Sequence, residues 1–253
     1  MKLVPVNLIQ NKTFVRSWQE AAAFIDDKGA ERIIGGPKEN GPEVERKKIK
    51  DTCQIIELFG KAIDQLNKGE MHPKFPFGPK QLEEYCLQMT PEYVEKWQKM
   101  PDTDVHKFRY LYWERFLFPY DQIEALKLNL AELIKHDLSS NRVQAITWRP
   151  NEDAFNDEPP CLQRVQVIYL GKNEEGTRCL DIRTDWRSRD INAWQSNLIC
   201  LNRAFKSHVF EPNECKVVRW IDNCASLHCY EDRLGKLHEA AWYQRFGNQF
   251  FVE

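Results

Sequence analysis

The sequence has no long apolar run and no excess of charge of one sign. None of its 253 residues belongs to a stretch approaching the ~20 consecutive apolar residues that a membrane-spanning helix needs. The first five residues do not open into the apolar segment of a signal peptide. The formal net charge of -2 argues against general nucleic-acid binding through a basic surface. We therefore expect a cytoplasmic protein with neither a membrane nor a general nucleic-acid partner.

The sequence also lacks the cysteine spacing of a disulfide framework or a metal site. Its eight cysteines are scattered, and a cytoplasmic chain of this length does not depend on disulfides. A zinc site would have to use Cys215, Cys224, His228 and Cys229. That spacing fits no common zinc template, and adjacent strand residues point to opposite faces. We predict no metal, and buried thiols for most of the cysteines.

Periodicity predicts helices and strands without regular alternation between them. Helical spacing covers residues 14–28, 82–89, 121–136, 191–205 and 234–242. Strand patterns cover residues 53–59, 142–148, 164–170, 179–186, 216–221 and 224–230. No internal repeat or low-complexity tract divides the chain. This pattern is typical of an α+β fold, and the length favours one domain over residues 1–253.

One cysteine is distinguished by its neighbours. The segment Pro159-Pro160-Cys161-Leu162-Gln163 leads into the predicted strand 164–170, which places Cys161 at a loop-to-strand junction. A reactive thiolate needs nearby positive charge, and Arg142 and Arg187 each lie at the end of a predicted strand. Neighbouring strand ends would bring these groups together. The pattern indicates a nucleophile, although most cysteines are structural.

Several polar residues have the chemistry to bind a phosphorylated nucleoside. Arg187 and Ser188 offer a guanidinium beside a hydroxyl, which suits a phosphate dianion. His228 and Tyr230 alternate on one strand face and can both donate to a sugar hydroxyl. Asn197 can present a donor and an acceptor to a uracil edge. Each residue also fits an ordinary role on the surface, in the core or at a helix cap.

Six motifs over residues 139–230 resemble those of the thymidylate synthase superfamily, which includes the pyrimidine nucleotide hydroxymethylases. In chain order they are Ser140-Asn141-Arg142, Trp148-Arg149-Pro150, Pro159-Pro160-Cys161-Leu162-Gln163, Arg187-Ser188-Arg189-Asp190, Ala193-Trp194-Gln195-Ser196-Asn197 and Leu227-His228-Cys229-Tyr230. Residues 77–85 and 110–115 resemble the archaeal-type branch more than the bacterial enzymes. The resemblance implies a large twisted mixed β-sheet flanked by helices, in a homodimer that packs sheet to sheet.

The resemblance also implies a set of catalytic roles. The Cys161 thiolate would add to C6 of dUMP and make C5 a nucleophile, which would take a one-carbon unit from 5,10-methylenetetrahydrofolate or a related tetrahydropterin. Tyr112 would assist removal of the C5 proton. Glu83 or Glu84 would be the catalytic glutamate, and Asp190 would order the cofactor side of the site.

The binding roles follow from the same resemblance. Arg187 and Ser188 would hold the 5′-phosphate of the nucleotide. Arg142 would reach that phosphate from the partner subunit of the homodimer. His228 and Tyr230 would contact the 3′-hydroxyl of the deoxyribose.

The base and the product are the remaining questions. Asn197 would read the base, and since the hydroxymethylases for cytosine nucleotides carry aspartate there, asparagine implies dUMP. The product is dTMP if a hydride comes from the folate, and 5-hydroxymethyl-dUMP if water attacks. We favour thymidylate synthase as the larger class, while Trp113, in place of a usual glycine, keeps the hydroxymethylase open. A catalytically silent homologue that binds nucleotide or RNA is a further alternative.

Overall fold

The computed structural model of the chain describes residues 3–11, 13–37, 44–105, 107–156 and 158–246. In these ranges the strands are β1 (Val6–Asn11), β2 (Ala30–Pro37), β3 (Val44–Phe59), β4 (Gln144–Ile146), β5 (Leu162–Lys172), β6 (Arg178–Trp186), β7 (Arg189–Asp190) and β8 (Cys215–Tyr230). The helices are α1 (Phe14–Lys28), α2 (Lys61–Lys68), α3 (Pro79–Leu87), α4 (Pro91–Gln98), α5 (Tyr112–Leu117), α6 (Gln122–Lys135), α7 (Pro150–Asp153), α8 (Trp194–Phe205) and α9 (Leu234–Phe246).

A mixed β-sheet organises these elements. Its strand order is β1-β3-β8-β6-β5-β4, with β2 paired to β3 and β7 paired to β8. The pairs β1/β3, β6/β8 and β7/β8 are parallel, whereas β3/β8 and β5/β6 are antiparallel. Helices α1, α2 and α6 pack on the sheet. The predicted α+β class, with a large mixed sheet flanked by helices, is confirmed.

Alternate residues of the central strands bury one face of the sheet. In β3 the core-facing residues Ile56 and Leu58 are fully buried, and in β8 Trp220 is fully buried. The intervening residues, such as Glu57 and Arg219, lie on the opposite face and are more exposed. The helix-covered core therefore sits against one side of the sheet.

Two predicted strands turn out to be one. Residues 216–221 and 224–230 belong to the continuous strand β8, so the predicted break was wrong. Asp222, which lies between the two predicted strands, is charged, and charged residues are seldom fully buried unless they are paired. Asp222 is fully buried here because hydrogen-bond donors surround its carboxylate.

Other element boundaries also differ from the prediction. Strand β4 covers three residues of the predicted 142–148, and β3 begins at Val44 rather than at Cys53. Strands β1 and β2 were not predicted. The start of β3 reads as a charged run, and it forms a strand because β2 pairs along it and its side chains reach solvent.

The main helix predictions are confirmed. Helix α1 ends at Gly29, whose N–H donates to the carbonyl of Ile25. Helix α6 begins after Asp121, whose carboxylate accepts from the Glu124 N–H at 2.9 Å. This is the expected side-chain cap of an orphan backbone donor.

The structure also describes the state of the cysteines, the length of the helices and the grouping of residues that could bind a metal. All eight cysteines are free thiols and five of them are buried, as predicted for most of them. No described helix is both long and apolar enough to cross a membrane. Among the described residues, no three His, Cys, Asp or Glu side chains are grouped to hold a metal ion.

A buried ion pair joins three elements of the fold. Arg189 pairs with Asp222, and its guanidinium stacks on the Trp186 ring at 4.1 Å. The Asp222 carboxylate also accepts from the indole N–H groups of Trp186 at 2.9 Å and Trp194 at 2.8 Å. Strand β8 is thereby tied to the end of β6 and to the start of α8.

We predict that Asp222→Ala strongly destabilises the fold. The substitution leaves the Arg189 guanidinium buried without a counter-charge, which typically costs about 3–5 kcal/mol. Chemical denaturation monitored by circular dichroism measures the loss. As a control, Asp102→Ala removes an exposed carboxylate that pairs with Lys107, and it should cost less than about 1 kcal/mol. Equal losses in the two variants would contradict the prediction.

Candidate functional site

A cleft of about 1270 Å³ opens beside the loop-to-strand junction that precedes β5. Six of the eleven predicted site residues line it: Tyr112, Glu84, Cys161, Arg187, Ser188 and Tyr230. They come from α3, α5, the start of β5, the end of β6 and the end of β8. The fold therefore brings together residues that are up to 146 positions apart in the sequence.

Cys161 and Arg187 form the centre of this cleft. Arg187 Nη2 lies 3.8 Å from the Cys161 sulfur. The Arg187 backbone N–H donates to the Cys161 carbonyl at 2.9 Å, a contact that links β5 to β6 at their ends. The guanidinium at this distance can donate a charge-assisted hydrogen bond to the sulfur. The predicted approach of these two strand ends is seen in the structure.

The prolines before Cys161 fix the position of Arg187. Arg187 Nη2 donates to the Pro159 carbonyl at 2.6 Å, and Nε donates to the Pro160 carbonyl at 3.0 Å. A guanidinium has five N–H donors, and the two on Nη1 have no hydrogen-bond partner within the described part of the chain, so they can donate to another acceptor. With Ser188 also lining the cleft, this arrangement can receive an anion.

Two tyrosines lie against the thiol, and sequence reasoning singled out one of them. Tyr110 and Tyr112 have ring centroids 5.5 Å apart, and Tyr110 hydrogen-bonds to Tyr112 and to the Cys161 backbone. Burial raises the pKa of Tyr110 to about 12 and raises that of Tyr112 well above its usual value. Both keep their protons at neutral pH. Tyr112 therefore offers a hydroxyl, not a phenolate base.

The two candidate glutamates on α3 differ in their surroundings. Glu84 lines the cleft, whereas Glu83 is not among the lining residues. Glu83 forms an ion pair with Arg203 at 2.6 Å. Of the pair, Glu84 is the carboxylate that can reach a molecule in the cleft.

Asn197 lies behind the cleft wall. It is 6% exposed on α8, and its amide nitrogen donates to the Tyr85 hydroxyl at 2.6 Å. Tyr85 itself lines the cleft. Sequence reasoning treated Tyr85 only as part of an apolar helix face. Its position beside Glu84 is the signal that could have drawn attention to it.

His228 lies beside Tyr230, the residue of the pair that lines the cleft. Their rings meet edge to face, with centroids 5.2 Å apart. His228 Nδ1 donates to the Ser226 carbonyl at 3.3 Å, which leaves Nε2 as the acceptor nitrogen. Burial lowers the pKa of His228, so the ring is neutral at pH 7. Its Nε2 is buried and has no hydrogen-bond partner among the described residues.

Asp190 and Arg142 do not line the cleft. The Asp190 carboxylate accepts from the Asn192 N–H at 2.9 Å and pairs with Arg233 at 3.0 Å. Arg142 is exposed, and its Nε contacts the Ser140 hydroxyl at 3.4 Å. Asp190 therefore caps the turn that leads into α8, while Arg142 extends from the segment before β4.

Trp113 is not part of the cleft wall either. It is fully buried, and its ring packs against Phe116, Phe205 and His208. The bulky residue that follows Tyr112 is thus accommodated in the core. It does not reduce the space beside the thiol.

One curated relative supports the resemblance seen in the motifs. A protein of Methanopyrus kandleri named "Putative thymidylate synthase" is 28% identical over 139 residues, which are 54% of this chain and 62% of that protein. The aligned part is thus less than two thirds of the relative. No protein-family model matches the chain. The likeness supports a relation to the thymidylate synthase superfamily and does not distinguish the archaeal-type branch from others.

We predict that Arg187 accelerates alkylation of Cys161. Replacing Arg187 by Gln removes the charge next to the thiol, and for a solvent-exposed pair the rate with iodoacetamide at pH 7 should fall about twofold to fivefold. Mass spectrometry of the peptide containing Cys161 follows the reaction. Arg178→Gln removes an arginine that pairs with Glu214, and it should leave the rate unchanged. An unchanged rate in Arg187→Gln would refute the assigned effect.

Proposed function

We propose that the protein is a thymidylate synthase that transfers a one-carbon unit to C5 of dUMP. The proposal rests on one observation: the Arg187 guanidinium lies 3.8 Å from the Cys161 sulfur. The cleft that holds them is also lined by Ser188, Tyr112 and Glu84. A thiol beside a fixed cation suits addition to C6 of a pyrimidine. The likeness to the Methanopyrus kandleri protein supports the same reaction class.

The cleft offers a group for each end of the nucleotide. The free Nη1 donors of Arg187 and the Ser188 hydroxyl would hold the 5′-phosphate. Tyr230 would meet the 3′-hydroxyl of the sugar, and His228, which packs behind Tyr230 and does not line the cleft, would support it through their ring contact. With the nucleotide held at both ends, its C6 would be directed at the Cys161 sulfur.

The proton on C5 must leave after the thiolate has added. Tyr112 stays protonated because burial raises its pKa, so its hydroxyl would orient an acceptor instead of acting as a strong base. Glu84 and Glu158 both line the cleft, and Glu158 pairs with Arg109 at 3.3 Å, so we assign the organisation of proton transfer to Glu84. Glu83 stays with Arg203 in this account.

The cleft also suits a folate. Phe77, Phe108 and Met89 line it, and their apolar surfaces can pack on a planar pterin ring. Methylenetetrahydrofolate, when bound, would supply the one-carbon unit. We assign Asp190 to the cofactor side, where it would act by ordering the turn before α8.

We also propose a homodimer that packs through the exposed side of the sheet. Asp181 and Arg219 lie on that side, opposite the core-facing Ile182 and Trp220. Arg183 and Arg219 pair with the buried Asp181 carboxylate, and part of each arginine side chain is exposed on this side. A second copy of the chain could contact these exposed parts. Arg142, which is exposed, would then reach the partner's cleft.

The reaction itself tests the first proposal. Purified protein is incubated with dUMP and methylenetetrahydrofolate, and the nucleotide product is weighed by mass spectrometry. A gain of one methyl group with formation of dihydrofolate is expected, and Cys161→Ala should abolish it. A hydroxymethyl gain would make the protein a hydroxymethylase. Absence of product from dUMP with intact nucleotide binding would favour the silent homologue.

Subunit mixing tests the role of Arg142. Arg142→Ala and Cys161→Ala should each be nearly inactive as homodimers. A mixed dimer has one intact site, made of Cys161 from one subunit and Arg142 from the other. Each mixed dimer should therefore have up to about half of the activity of a wild-type dimer. Because random pairing on unfolding and refolding the two variants together makes about half of the dimers mixed, the mixture should recover up to about a quarter of the wild-type activity. If Arg142 serves its own subunit, mixing restores nothing.

A further inference from the structure

Tyr85 stands between Asn197 and the cleft. The Asn197 amide nitrogen donates to the Tyr85 hydroxyl at 2.6 Å, and Tyr85 is the one of the two that lines the cleft. The Tyr85 ring is held by an edge contact with Phe77, at 6.3 Å between centroids. Asn197 is thereby connected to a residue of the cleft wall through this hydroxyl.

The donor and acceptor roles at this contact are defined by chemistry. Because the amide nitrogen can only donate, the Tyr85 oxygen is the acceptor, and its own O–H is free to donate elsewhere. Burial raises the pKa of Tyr85 above its usual value, so the hydroxyl keeps its proton. Tyr85, which lines the cleft, thus carries a protonated hydroxyl.

We propose that Tyr85 determines base specificity by donating its O–H, oriented by Asn197, to the 4-oxo group of a pyrimidine nucleotide. This inference rests on the proposed function and names a residue that selects the substrate. The 4-amino group of cytosine is itself a hydrogen-bond donor. Two donors would then face each other, and neither would have an acceptor. Such a mismatch lowers affinity for a cytosine base.

The same arrangement predicts how Asn197 and Tyr85 depend on each other. A carboxylate can only accept, so in Asn197→Asp the Tyr85 O–H would turn toward the new side chain. The lone pairs of the Tyr85 oxygen would then face the cleft and suit a 4-amino group. The change in base preference caused by Asn197→Asp thus requires the Tyr85 hydroxyl.

Equilibrium dialysis with dUMP and dCMP tests the proposal without turnover. The proteins compared are the wild type, Tyr85→Phe, Asn197→Asp and the double variant, with Tyr93→Phe as a matched control on α4. Tyr85→Phe should lower the preference for dUMP over dCMP by roughly fivefold to tenfold, the effect of one hydrogen bond. Asn197→Asp should shift the preference toward dCMP, and the double variant should show much less of that shift. Tyr93→Phe should behave as wild type.

The ratio of the dUMP and dCMP affinities distinguishes a change in base specificity from a loss of folded structure. Partial loss of structure weakens the binding of both nucleotides together and leaves the ratio of their affinities unchanged. Thermal unfolding measures such a loss of structure directly. A Tyr85→Phe variant that is folded and keeps the wild-type ratio, or gains preference for dUMP, overturns the proposal while dUMP recognition stands. A wild-type protein that binds neither nucleotide overturns the proposed function and this inference with it.

Discussion

The carboxylate of Asp222 is the constraint on which the site depends. It is fully buried in β8 and accepts from Arg189, Trp186 and Trp194. Arg187 and Ser188 lie between two of these anchored residues, so the strand end that carries them has little freedom. A cation that must stay 3.8 Å from a thiol needs such support. The buried ion pair is therefore part of the site's architecture even though it does not touch the cleft.

The polar groups of the cleft are arranged so that their charge states are defined at neutral pH. Burial raises the pKa of Tyr112 and that of Tyr110, which keeps both hydroxyls protonated. Burial lowers the pKa of His228, which keeps its ring neutral. Beside the thiol, the Arg187 cation thus lies among neutral tyrosine hydroxyls, and Glu84 brings a carboxylate to the same cleft. This composition suits polarisation of a neutral heterocycle held by its phosphate.

Local patterns predicted the parts of the structure whose cause is local. The loop-to-strand position of Cys161 and its approach to Arg187 follow from neighbouring strand ends. Tyr85 was not recognised because its role depends on a contact with Asn197, 112 residues away. Strand β8 was predicted in two pieces, on either side of Asp222, whose burial depends on its partner Arg189, 33 residues earlier. Such pairings are set by tertiary packing, which periodicity along the chain does not reveal.

The measurement that tests the account most directly is the release of the C5 hydrogen of dUMP to water. With dUMP tritiated at C5 and methylenetetrahydrofolate present, Cys161 adds to C6, C5 bonds to the one-carbon unit, and C5 then loses its tritium to water. This release is expected whether the product carries a methyl or a hydroxymethyl group. The account predicts release by the wild type and none by Cys161→Ala that retains dUMP binding. No release by the wild type, or equal release by Cys161→Ala, would contradict it.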